Sequence, residues 1–157
     1  MKKGVVLVIL FCSVIGAMIF SSCKHGCGNS AKSSRHNENN SHNMGLNCFN
    51  CHSGTGTGNG CFAVAGTVYI DSVGTQTLSN ATIKLYSQPD GAGQLLKTIE
   101  VDEMGNFYDG SEEGLIGSYF PVVVSSNGSI RKMLEPISKG DCNRCHGVST
   151  NKIWVNW

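Results

Sequence analysis

Charge is scarce in this chain: 157 residues carry 12 Lys and Arg, 11 Asp and Glu, and a formal net charge of +1. So near-neutral a balance gives no support for a nucleic-acid partner. Long apolar runs are also scarce. The one that stands out, Val5 to Phe20, has 16 residues, short of the roughly 20 that cross a bilayer as a helix. After residue 22 the apolar periodicity of an α-protein is missing, whereas glycine, at 20 residues, is plentiful. These features predict a mainly β protein. No Ser-His-Asp set, phosphate-binding loop or pair of catalytic carboxylates can be argued from spacing. Asp102, Asn106 and Asp109 do not follow the EF-hand pattern and read as turn residues.

The N-terminus has the layout of an export signal, with a short basic stretch, MKKG, followed by the apolar run. Residues 1–22 are therefore excluded from the fold. Phe20-Ser21-Ser22-Cys23 resembles the lipobox of bacterial lipoproteins, which implies that Cys23 is lipidated and becomes the first residue. Lys24, where an inner-membrane retention signal would place Asp, implies the outer membrane, on its periplasmic or cell-surface side.

Export matters for the cysteines, because thiols outside the cytoplasm are normally oxidised, metallated or covalently used. Four of the eight lie in a repeated motif, NCFNCH (Asn47 to His52) and DCNRCH (Asp141 to His146). Cys-x-x-Cys-His is the spacing at which two thiols add to the two vinyl groups of one haem while the adjacent imidazole reaches the iron. Cys48 and Cys51 would form one pair of thioethers with His52 as proximal ligand; Cys142, Cys145 and His146 would serve a second haem. The alternatives are weaker. A four-thiolate zinc ribbon needs its pairs much closer than the 90 residues between Cys51 and Cys142. Thiol redox chemistry wants its motif beside a parallel sheet in a βαβ unit, and none is predicted. With Cys12 removed in the signal and Cys23 lipidated, Cys27 and Cys61 remain. They are expected to pair as a disulfide that ties the tail to the end of the first haem loop, unless both stay free or Cys27 takes a second lipid.

Along the mature chain, residues 23–43 are polar, rich in Ser and Asn, and read as a flexible tether. Residues 44–61 form a first haem-binding segment ending in a glycine-rich loop, Ser53 to Cys61. From 62 to 136 short alternating runs are bounded by turn residues, the pattern of an antiparallel sandwich. Strands are expected at 66–70, 81–87, 95–101, 106–110, 119–125 and 130–134, with Ala81, Ile83 and Leu85 inward, Pro121 at a strand start or edge, and a tight hairpin at Asn127-Gly128. Residues 137–157 hold the second motif and a last strand, with Ile153, Val155 and Trp157 on one side, making about seven strands. The tryptophans are read as core, with a haem edge as the alternative.

GTVYI, NATIKLYS and VDEMGNFY resemble the carboxypeptidase regulatory-like domain, a transthyretin-like sandwich, over about 75 residues. That resemblance implies a scaffold. Together with the two motifs, the chain is similar to small exported dihaem c-type cytochromes with such a sandwich inserted between the haem motifs. The expected role is electron transfer without catalysis, with other redox proteins or cytochromes as partners. A peroxidase-type haem enzyme and a haem-bearing adhesion module are the rivals. An odd strand count would put the haems at opposite ends of the sandwich, favouring self-assembly into a chain or filament, and an even count at the same end. For the distal iron positions, His42 is assigned to the first haem and Met133 to the second, with His36 and His25 as competitors.

Overall fold

The computed structural model describes Cys27 and residues 32–157. The expected signal peptide, the lipidation site Cys23 and His25 lie outside the described residues. No helix among the described residues is long and apolar enough to cross a membrane.

Among the described residues, eight strands form two sheets of four. In the second sheet, β2 (Thr82–Tyr86) lies between β3 (Leu95–Glu100) and β5 (Phe120–Val124), and β5 pairs onward with β6 (Ile130–Lys132). All these pairings are antiparallel. In the first sheet β1 (Val64–Tyr69) is antiparallel to β4 (Asn106–Asp109), while its other side takes β7 (Gly140–Asp141) and β8 (Ile153–Trp154), both parallel. The strand beyond the expected seven is β7.

The alternation in β2 reads directly into burial. Ala81, Ile83 and Leu85 face the core with Ile99, Val101 and Val123, while Thr82, Lys84 and Tyr86 remain partly exposed. β1 is buried at all six positions, because the other sheet covers one side and the chain around the two motifs the other. Pro121 is the second residue of β5, a strand with partners on both sides. The Asn127-Gly128 hairpin forms as expected, with Gly128 at φ 88° and the Ser125 N–H donating to Ser129 O at 2.9 Å.

Two expectations are corrected. Of the expected tether, residues 32–43 lie against the sandwich. Ser34 N–H donates to Tyr108 O at 2.8 Å, its hydroxyl accepts from Tyr108 N–H at 2.9 Å, and the Gly110 N–H donates to Lys32 O at 3.0 Å. Glu100 takes the His36 N–H at 2.8 Å, and the Glu103 N–H donates to Glu38 O at 2.9 Å. The segment has little apolar surface to bury, but it satisfies the unpaired edge of β4, which composition alone does not reveal. At the other end, Val155 is buried and Ile153 packs on the core, but Trp157 is 74% exposed with its indole N–H on Ser126 Oγ. Both flanks of the expected insert, 32–34 and 137–157, thus belong to the sandwich itself.

Candidate functional site

The two motifs fold into the same local shape. Cys48–Asn50 is a single 3-10 turn in which the N–H groups of Cys51 and His52 both donate to Cys48 O, at 3.1 and 2.8 Å. In Cys142–Arg144, Cys145 and His146 donate to Cys142 O at 3.2 and 3.0 Å. One tight turn thus carries two thiols three residues apart and delivers the imidazole at its end. Asn47 caps the first turn through its side chain on Phe49 N–H, whereas Asp141 pairs with Arg144 at 3.1 Å. All four motif thiols are free, while Cys27 and Cys61 are joined as a disulfide.

Both histidines are held by the same ring atom. His52 Nδ1 lies 3.2 Å from Gly60 O, and His146 Nδ1 lies 2.7 Å from Asn151 O. A carbonyl oxygen only accepts, so Nδ1 carries the proton and Nε2 keeps its lone pair. This is the tautomer and the supporting bond of a metal-ligating histidine.

The surroundings of the first motif depend on glycine. The loop after His52 curls back until the Gly58 N–H donates to Cys51 O at 2.8 Å. A Cβ at Gly58 would lie 2.9 Å from the His52 ring, and one at Gly56 would strike the Cys51 backbone. Phe62 N–H closes the loop on His52 O, and the rings of His52, Phe62 and Tyr108 stack at 4.4 and 4.7 Å. A cavity of 920 Å³ is lined by Cys48, Cys51, His52, His42 and Tyr108. The His42 and His52 rings are 6.0 Å apart, centroid to centroid. Two imidazoles thus line one cavity and would both be available to a metal ion bound there.

The second motif opens on a cavity of 680 Å³ lined by Cys142, Cys145, His146, Met133, Arg131 and Trp154. The Arg131 guanidinium sits 3.5 Å over the Trp154 ring. Burial pushes the Cys142 thiol up to about 12, with Asp141 and then Cys48 adding negative charge nearby, and burial also raises Cys48. Burial thus favours the protonated form of these two thiols. Among the described residues no group of three or more His, Cys, Asp or Glu is placed to hold a metal ion, so the four thiols are not gathered into a zinc cage.

The competing ligand His36 is engaged elsewhere, its Nε2 3.0 Å from Ala81 O. The idea of opposite ends does not hold. Both motif turns pack against β1, and Asn143, inside the second motif, donates to the carbonyl of Leu46, two residues before Cys48, at 3.0 Å. No family model, curated protein or solved structure matches this chain. The residues present nonetheless fit a covalently attached haem at each motif. Each offers two free thiols, an imidazole with Nε2 available and a second donor lining the same cavity, whose volume lies within the range of about 300–1,000 Å³ usual for ligand sites.

Sequence reasoning had no signal for the buried polar residues Thr67, Asn106 and Asn143 that lie between the motifs. Asn143 occupies a variable motif position, Thr67 looks like an ordinary strand residue, and Asn106 reads as a turn residue at the start of a strand.

Proposed function

We propose that this chain is an exported, lipid-anchored electron-transfer protein carrying two c-type haems. The observation that carries this reading is the duplication: two turns of one geometry, each with two free thiols and each with its histidine Nδ1 bonded to a backbone carbonyl. A haem supplies a one-electron couple when bound. The chain's own part is attachment through Cys48, Cys51, Cys142 and Cys145, and orientation of His52 and His146 by Gly60 O and Asn151 O. His42 and Met133 line the respective cavities and would supply a further donor to each haem. Nearness of the motifs on β1 supports passage of electrons between two sites of one molecule. Partners are other redox proteins or cytochromes, with the outer membrane reached through lipid on Cys23; the neighbouring motifs remove the reason for end-to-end assembly into a chain or filament. Nucleic acid is not a partner on this reading.

The test is the mass of the mature protein made in a host with c-type haem machinery. Two covalent haems are expected, and Cys48→Ala or Cys142→Ala should each weaken attachment of one. A wild-type product with no covalent haem overturns the reading. Met133→Ala should lower the potential of one haem and remove the weak far-red band of His/Met ligation. Fast cyanide binding by one haem would favour a peroxidase-type enzyme instead.

A further inference from the structure

Between the motifs lies a short chain of buried polar side chains. Thr67, in the middle of β1, is 1% exposed, and Asn106 and Asn143 are each 4% exposed. Their hydrogen bonds leave little freedom. The Thr67 hydroxyl donates to Asn106 Oδ1 at 2.7 Å and accepts from Gly45 N–H at 2.9 Å and from Asn143 Nδ2 at 3.0 Å. A hydroxyl has one donor and two acceptor sites, and all three are used. Asn143 Oδ1 accepts from Thr67 N–H at 3.1 Å, and its amide group donates to Thr67 Oγ1 and Leu46 O, both at 3.0 Å. Asn106 donates to Ser41 Oγ at 2.9 Å and to His42 O at 3.2 Å. Flipping either amide would set donor against donor or acceptor against acceptor, so each orientation is fixed.

This network ends on one segment, residues 41–46, at four points: Ser41 Oγ, His42 O, Gly45 N–H and Leu46 O. The segment bends through left-handed residues at Asn43 and Gly45 and is largely exposed, with Leu46 at 62%. Apolar burial therefore contributes little to its placement. Its far anchor is Asn143, which lies between the two cysteines of the second motif. We propose that Asn143, through Thr67 and Asn106, is the positioning residue for His42. The second attachment motif thereby sets the axial-ligand segment of the first, and the two sites act as one coupled unit. This rests on the electron-transfer reading above.

The test uses the mature two-haem protein. Thr67→Val keeps the shape and deletes the hydroxyl; Thr67→Ser keeps the hydroxyl. Leaving buried partners of a lost hydrogen bond unsatisfied should raise amide exchange at Gly45 and Leu46 by about tenfold or more. It should also move one haem potential, the one that His42→Ala moves, by about tenfold in its redox equilibrium, or about 59 mV for a one-electron couple. Thr67→Ser should restore both readouts. Asn143→Ala should reproduce them although it lies in the other motif. Two attached haems with first-site potential and Gly45 exchange unchanged in Thr67→Val and Asn143→Ala overturn the proposal, as does a His42→Ala variant that moves neither potential. A wild type without covalent haem removes the electron-transfer reading instead. Amide exchange, which needs no haem, then still decides whether Asn143 holds residues 41–46.

Discussion

The 47–62 region and the 140–154 region build the same turn and the same Nδ1-to-carbonyl bond by different means. The first has no strand of its own. It relies on glycines that let its loop fold under His52, on the Cys27–Cys61 bond at its far end and on a stack of aromatic rings. The second is held by the sheet, since β7 enters the turn, β8 follows it, and both lie along β1. The pentapeptide is therefore sufficient for the turn but not for its support. A site without sheet pairing needs covalent and steric substitutes.

The largest effects should come from adding one methyl group to either region. Gly56→Ala drives a Cβ into the Cys51 backbone, whereas Gly140→Ala drives one into Ala63 O and the Val64 backbone. Neither obstacle is a flexible side-chain end, and both overlaps are with backbone atoms, so each is expected to exceed the roughly 1–3 kcal/mol of an ordinary overpacked methylene and to outweigh loss of the disulfide. Gly56→Ala should lose haem from the 48–52 peptide and Gly140→Ala from the 142–146 peptide, as read by peptide mass mapping. Loss from the same peptide in both would break the comparison.

Removing the disulfide should come next. Its cysteines are 34 residues apart in sequence, and a loop of that size stabilises by roughly 3–4 kcal/mol on the chain-entropy account. Denaturant unfolding of Cys27→Ser/Cys61→Ser should show that loss. Amide exchange should rise around His52 and Phe62 while the β1–β8 pairing stays protected.

Acid should separate the regions more gently. Burial acts to raise the Asp109 carboxyl, but bonds from Lys97, Ser33 and the Ser111 N–H outweigh it, so its pKa lies below the ordinary carboxyl value. A group with a lowered folded pKa contributes fully above its unfolded value of about 4 and loses that contribution as pH falls through the folded one. Melting temperature should fall in that acid window, and less so in Asp109→Asn, which has already lost the ion pair with Lys97. Since Ser33 bonds Asp109, and Asp109 O takes the Ala63 N–H, exchange should rise first beside the 47–62 region.

Arg144→Ala should do least. Its partner Asp141 is close, but the Arg144 side chain is 61% exposed, and exposed pairs are worth about 0–1 kcal/mol. A loss of the second site's haem in this variant would mean that the sheet does not supply its support.

Much of this was legible in advance. Strict alternation in Ala81–Leu85 predicts the buried face because side chains on a strand point alternately to opposite sides. The Asn127-Gly128 pair predicts its hairpin because glycine takes the positive φ found there. Trp157 did not follow the alternation of its neighbours because β8 ends at Trp154, and beyond it nothing enforces a period of two.

The sequence by itself determined the repeated turn, since Cys-x-x-Cys-His closes on a backbone carbonyl within five residues and needs no distant partner. It also determined the class of the fold, through patterns that act over one strand or one turn. Only the tertiary structure decided that residues 32–34 extend a sheet, that Thr67, Asn106 and Asn143 meet, and that the two motifs are neighbours. Those contacts join residues tens of positions apart, up to the 97 between Leu46 and Asn143. Their partners are chosen by which donors and acceptors the folded sheets leave unsatisfied, a property that no local stretch of the chain carries.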